Sequence, residues 1–196
     1  MAHALHDFQF DQLVCDQSQT PALVSFRRWA TKQHNQMRFL LAVRATGIRV
    51  AAASSSKNAK LLLSKVPIDT FAERNGLDYA FIRPGQTLLD VFDVDISGRT
   101  FKQGKPHPEI FLTAARELNV DPPGCFVVED AVSGITAAKA GEMAALGIAR
   151  VGDAPALAGA GADLVVTSLD DVDPGVLTDG RLVTVDRPET QPLAVS

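Results

Sequence analysis

Short apolar runs alternate with helix-spaced apolar patterns along most of this chain. From about Gln36 the stretch NQMRFLLAVRATG carries apolar residues at helical spacing and stops at Gly47, a natural C-terminal end for a helix. IRVAAA (48–53) follows as a short apolar run with no polar alternation after Arg49, the pattern of a strand covered on both faces. SSSKNAKLLLSKV opens with hydroxyl residues suited to the start of a helix. PEIFLTAARELN (108–119) predicts a helix, CFVV a strand, and VSGITAAKAG a helix ending at Gly141. MAALGIA (143–149) then reads as strand, APALAGAG as a short helix and ADLVV (162–166) as strand. Strands and helices in alternation predict an α/β fold with a mostly parallel sheet and helices on both faces.

The ends of the chain are less regular. Among the first 35 residues LVC (13–15) is the only strand-like run, and FRRWATKQHNQM has the makings of a helix with Trp29 on its packed face. The tail RPETQPLAVS (187–196) has little to bury and is expected to be disordered. This divides the chain into a divergent or truncated amino-terminal segment (1–35), a core domain (36–186) and the tail.

Composition narrows the function classes. With 196 residues, 46% hydrophobic and 21% charged, the chain has the balance of one ordinary globular domain. A net charge of −4 gives no electrostatic reason to expect nucleic acid or an anionic membrane as partner. No apolar run approaches the roughly 18 residues that span a bilayer. The amino terminus, MAHALHDFQF, lacks the basic and apolar regions of a signal peptide. Cys15 and Cys125 lie far apart and fit no metal or redox spacing, so they are expected to be buried thiols in a reducing cytoplasm.

Three features fall where an open parallel sheet binds its ligands, outside the carboxyl ends of strands. Ser54 follows IRVAAA, with Ser55, Ser56, Lys57 and Asn58 behind it; hydroxyls and backbone N–H groups there suit a phosphate. Taken alone, the same residues read as a helix cap with a solvated lysine. Lys105 in GKPHPEIF (104–111) precedes a proline just before a helix, and its ammonium could offset a phosphoryl group as a point charge. A surface lysine in a Pro-rich turn is the plainer alternative, and His107 between two prolines reads as a turn residue. Glu129 and Asp130 are paired carboxylates at the end of an apolar strand. Burying two such charges is costly unless a cation neutralises them, and magnesium, which takes one or two carboxylates plus water and phosphate oxygens, fits.

The order of these features, and the wording ASSSKNA, GKPHPEIF and VVEDAVSGITAAKAG, resembles the haloacid dehalogenase superfamily, in particular its beta-phosphoglucomutase-like branch of sugar-phosphate mutases and phosphatases. The resemblance runs from about Met37 to Ser168. It implies a three-layer, Rossmann-like core and magnesium-dependent phosphoryl transfer through an aspartyl phosphate, with a small phosphorylated substrate such as a sugar phosphate as partner. By position, Ser54 would bind the transferring phosphoryl group and Lys105 would offset charge between it and the nucleophile. Glu129 and Asp130 would help hold Mg2+, and Ser56, Lys57 and Asn58 would contact the substrate's other end.

One part of the family pattern is missing. Its nucleophile lies in an Asp-x-Asp-Gly motif after the first strand, upstream of the serine loop, and no such motif occurs here. The 53 residues before Ser54 are also too few for a first strand and a full cap, so the cap is expected to be reduced or absent. DVDISG (93–98) offers Asp93 and Asp95, but after the serine loop and without the glycine. LVCDQSQT (13–20) has the right order, with Asp16 as a degraded candidate nucleophile: Ser18 replaces the second aspartate and Gln19 the glycine. In the family the first strand lies between those that end at Ser54 and Asp130, and an empty slot there would strip buried strands of hydrogen bonds at about 1–3 kcal/mol each. Either the amino-terminal segment fills that slot, or the chain is a piece of a larger reading frame with an open core, which is the more economical expectation. Two functions follow: a phosphoryl-transfer enzyme, or a non-catalytic remnant that still binds magnesium and phosphate. A phospho-receiver domain, which also uses acids, a hydroxyl and a Lys-Pro, places its acids first and is set aside.

Overall fold

The computed structural model of the protein describes residues 9–15, 21–27 and 33–185. Among these residues seven strands form one sheet: β1 (Gln9–Cys15), β2 (Pro21–Arg27), β3 (Arg49–Ala53), β4 (Val94–Asp95), β5 (Phe126–Glu129), β6 (Ala144–Ile148) and β7 (Leu164–Val166). Their order is β4-β3-β1-β2-β5-β6-β7. The pairs β3–β4, β2–β5, β5–β6 and β6–β7 are parallel, whereas β1 runs antiparallel to β2, β3 and β5. The helices are α1 (Gln33–Ala45), α2 (Ala59–Leu63), α3 (Ile68–Arg74), α4 (Glu109–Glu117), α5 (Val132–Ala140) and α6 (Ala154–Gly159). No helix among the described residues is long and apolar enough to cross a membrane.

Alternation along the strands builds the three layers. In β3, Val50 and Ala52 join one core cluster, with Leu40, Leu41 and Val43 of α1 and Leu63 of α2. Ala51 and Ala53 join the other, with Ile110, Phe111, Ala114 and Leu118 of the α4 region and Ile135 of α5. In β5, Phe126 and Val128 go to the first cluster and Val127 to the second. Both faces are therefore covered, which explains why these strands read as continuous apolar runs. Each large side chain buried in this way contributes roughly 1.5–3 kcal/mol. Gly47, at φ +90°, ends α1 as expected, a conformation that costs glycine little.

The amino-terminal region departs from expectation twice. A second strand, β2, is present where the local pattern suggests the start of a helix at Phe26 and Arg27; α1 begins only at Gln33. Ala22, Leu23 and Val24 pair with Phe126, Val127 and Val128 of buried β5, and this tertiary pairing outweighs the weak local pattern. Pro21 is tolerated because it stands at the first position of its strand. Second, the slot between β3 and β5, expected to be open, is filled by β1 and β2. Between Arg27 and Arg49 the described residues contain one helix, α1. Trp29 and the tail 187–196 lie outside the described residues.

Candidate active site

Ser54, Lys105, Glu129 and Asp130 gather at the carboxyl edge of the sheet because β3 and β5 both point there. Ser54 is fully buried immediately beyond β3. It is not a helix cap: α2 starts five residues later, at Ala59, and its flanking Asn58 makes no side-chain capping bond. The Ser54 hydroxyl oxygen accepts the Ser56 N–H at 3.2 Å, while its carbonyl accepts the Gly98 N–H at 2.8 Å. Gly98 has φ +72°, and a Cβ there would stand 3.1 Å from the Lys57 Cα, so glycine permits this close packing of the two loops. Ser55, Lys57 and Asn58 remain exposed on the loop, with Ser56 partly so.

Lys105 is not a free-standing surface lysine. Its loop is tied to the first turn of α4, where the Glu109 carboxylate accepts the Gln103 N–H at 2.8 Å and the Lys102 N–H at 3.3 Å. These two bonds hold the Glu109 carboxyl below the usual range, that to Gln103 most. His107 is a turn residue, its Nδ1 accepting the Glu109 N–H at 3.2 Å. The Lys105 ammonium lies 4.9 Å from the centre of the Phe111 ring and pairs with Oε1 of Glu129. Only 11% of the lysine side chain is exposed, so water screens this pair weakly.

The two carboxylates differ in role. Glu129 is fully buried; besides Lys105, its Oε2 accepts the N–H groups of Asp130 at 2.8 Å and Ala131 at 3.0 Å. Asp130 pairs through Oδ2 with Arg150, a residue just beyond β6, while its Oδ1 is buried with no hydrogen-bond partner. Burial, followed by the negative charge of Glu129, pushes the Asp130 carboxyl up to about 6, against the opposing pull of Arg150 and Lys105. A buried carboxylate oxygen without a donor, beside a second carboxylate, fits a hard divalent cation that keeps water and phosphate oxygens as its other ligands. Among the described residues no three acidic, histidine or cysteine side chains form a complete metal cage.

The remaining aspartates sort by strand direction. Asp16 itself lies outside the described residues. Cys15, before it, pairs with Arg49, the first residue of β3, at the edge of the sheet opposite Ser54. At the other end of β1, Asp11 is the cross-strand partner of Ala53. Asp93 and Asp95 are structural: Asp93 accepts the Val50 N–H at 2.8 Å and pairs with Arg44 at 2.7 Å, and Asp95 accepts the Ser97 N–H at 2.9 Å. Cys125 is buried, its thiol directed at the Asp121 carbonyl.

Residues 34–142 match the haloacid dehalogenase-like hydrolase family. This chain belongs to that family. It is 35% identical over 135 residues to a beta-phosphoglucomutase of Bacillus subtilis, an alignment that takes in 69% of this chain and 49% of that protein. It is 36% identical over 140 residues to a beta-phosphoglucomutase of Mycobacterium bovis, with 67% and 46% covered. The crystal structure of a beta-phosphoglucomutase from Clostridium difficile superimposes with a TM-score of 0.52 at 29% identity, over 74% of this chain and 54% of that one. The chain thus spans about half the length of the curated relatives it matches. The family members' α/β core accounts for the layered sheet; Arg150, Gly98 and Phe111 are site residues that the sequence reading missed. Arg150 had a signal, a basic residue directly after the apolar run MAALGIA at a strand's carboxyl end.

Proposed function

We propose that the chain is a phosphoryl-transfer enzyme that acts on a small phosphomonoester, a sugar phosphate by kinship with beta-phosphoglucomutases, at the carboxyl edge of β3 and β5. The observation that carries this reading is the buried Lys105–Glu129 pair set next to Asp130, whose Oδ1 has no donor. In this reading Ser54 and the loop Ser55–Asn58 receive the phosphate and the sugar end, and Lys105 supplies positive charge to the transferring group. Asp130, seconded by Glu129, would hold Mg2+, which when bound would screen charge on the phosphate oxygens. Phosphoryl transfer demands mainly positioning and electrostatic stabilisation, and these side chains are held for both before substrate arrives.

A second reading is favoured by one observation. The antiparallel course of β1 carries Cys15, the residue before Asp16 in sequence, to the edge opposite Ser54. Without an attacking aspartate the same edge would bind phosphate and magnesium but turn nothing over. The aspartate that β1 brings to the edge of Ser54 is Asp11. Magnesium-dependent phosphate release, measured with para-nitrophenyl phosphate and several hexose phosphates, separates the readings. The enzyme reading expects turnover that falls at least a hundredfold in Asp130→Asn and in Asp11→Asn but survives in Asp16→Asn. A folded protein that binds phosphate without turnover would establish the binding remnant instead.

A further inference from the structure

The salt bridge between Arg150 and Asp130 is unlike the others at the site. Lys105 and Glu129 are both largely shielded, and Glu129 gains two backbone donors besides. Arg150 instead comes from a loop, with 41% of its side chain exposed, and reaches inward to a carboxylate side chain that is 5% exposed. Its main chain is anchored by an N–H bond to the Asp153 carboxylate just before α6. The residue is therefore tethered at its backbone while its side chain stays partly exposed to water. At Asp130 it engages Oδ2 only, leaving Oδ1 buried without a donor. A part-exposed arginine thus engages one oxygen of a carboxylate whose other oxygen is buried without a donor.

We propose that Arg150 is the resident counter-ion of Asp130, which a divalent cation displaces, and that the released guanidinium then binds the phosphate of the incoming substrate. This rests on the reading of the edge as a phosphoryl-transfer site and adds to it a substrate-binding residue and an order of binding. Two cations cannot share one carboxylate at full strength, because the positive charges repel and each bond polarises the same oxygens. A divalent ion seated on Asp130 weakens the hold on Arg150. Freed, the guanidinium has five N–H donors in a planar fork that matches phosphate oxygens, and its tether keeps it beside the site. Each ligand thereby favours the other: the metal releases the arginine, and the phosphate keeps it from returning. Such coupling is reciprocal by thermodynamic necessity.

The test is calorimetric titration of the full chain with MgCl2 alone, and with inorganic phosphate in the presence and absence of saturating Mg2+. Wild type is compared with Arg150→Gln and Arg150→Lys, with thermal melting to confirm folding. Arg150→Gln is expected to bind Mg2+ about three- to tenfold more tightly and, with Mg2+ present, to bind phosphate at least fivefold more weakly. The lysine variant should lie between the two for both ligands. In wild type, Mg2+ should strengthen phosphate binding more than it does in Arg150→Gln. Equal or weaker Mg2+ binding by the glutamine variant would overturn the proposal while leaving the site's general function intact. Failure of all three proteins to bind Mg2+ would overturn both.

Discussion

Gly134, in the first turn of α5, lies directly against the carboxylate of Glu129: a Cβ there would overlap Oε1, Cδ and Cγ. Geometry requires glycine here, since its hydrogen is the only substituent that leaves room for the buried acid. Gly134→Ala should therefore push Glu129 off its two backbone donors and away from Lys105. The expected result is a loss of about 1–3 kcal/mol in stability from overpacking, although alanine ordinarily favours a helix. Chemical denaturation of wild type and variant checks this; a stabilised variant would show that the carboxylate has another place to go.

Lys105 and Glu129 should behave as one unit. Removing the lysine alone leaves a fully buried charge with no cation, and Lys105→Met is expected to cost roughly 3–5 kcal/mol. The double variant Lys105→Met with Glu129→Gln should recover much of that loss, because it removes both charges. A double-mutant cycle by urea denaturation reads the coupling directly. Additive losses would mean that the pair is held apart in solution.

Asp130 makes stability depend on pH. Burial and the neighbouring Glu129 charge push its carboxyl up to about 6 in the folded chain, against 3.8 for an ordinary aspartate. The folded state therefore holds the proton more tightly, so this group's stabilisation is complete below about 3.8 and is lost as pH rises through about 6. The loss should amount to about 2–3 kcal/mol. Asp130→Asn, which cannot ionise, should remove that part of the slope. Mg2+ binding needs the ionised form, so its affinity should climb as pH rises past 6 and then level off. Melting temperatures between pH 4.5 and 8, with and without Mg2+, measure both trends.

Much of the core could be read before any coordinates. The run IRVAAA, the helix PEIFLTAARELN and the pair after CFVV are each set by local periodicity and by burial on both faces, and they appear where the pattern put them. The gathering of Ser54, Lys105 and Asp130 was legible for the same reason, since strand direction brings strand ends to one edge. Two things were not. The pairing of Ala22–Val24 with β5 depends on partners a hundred residues away, and nothing local distinguishes it from the start of a helix. Nor could sequence tell that Asp130 would be matched with Arg150, 20 residues on, because that contact depends on the spacing between β5 and β6. Asp93 and Asp95 show the converse: a motif-like spacing whose carboxylates hold backbone N–H groups and surface cations.

The central placement of β1 and β2 has a mechanical side. On one flank of them lie β3 and β4 with the serine loop; on the other lie β5, β6 and β7 with Asp130 and Arg150. Among the described residues no strand of one flank pairs with a strand of the other, so hydrogen bonding across the sheet there runs through these two strands. The two strands thus form the seam between the flank that ends in the serine loop and the flank that ends in Asp130 and Arg150. Any slip in the register of that seam would shift Ser54 relative to Asp130 along the carboxyl edge.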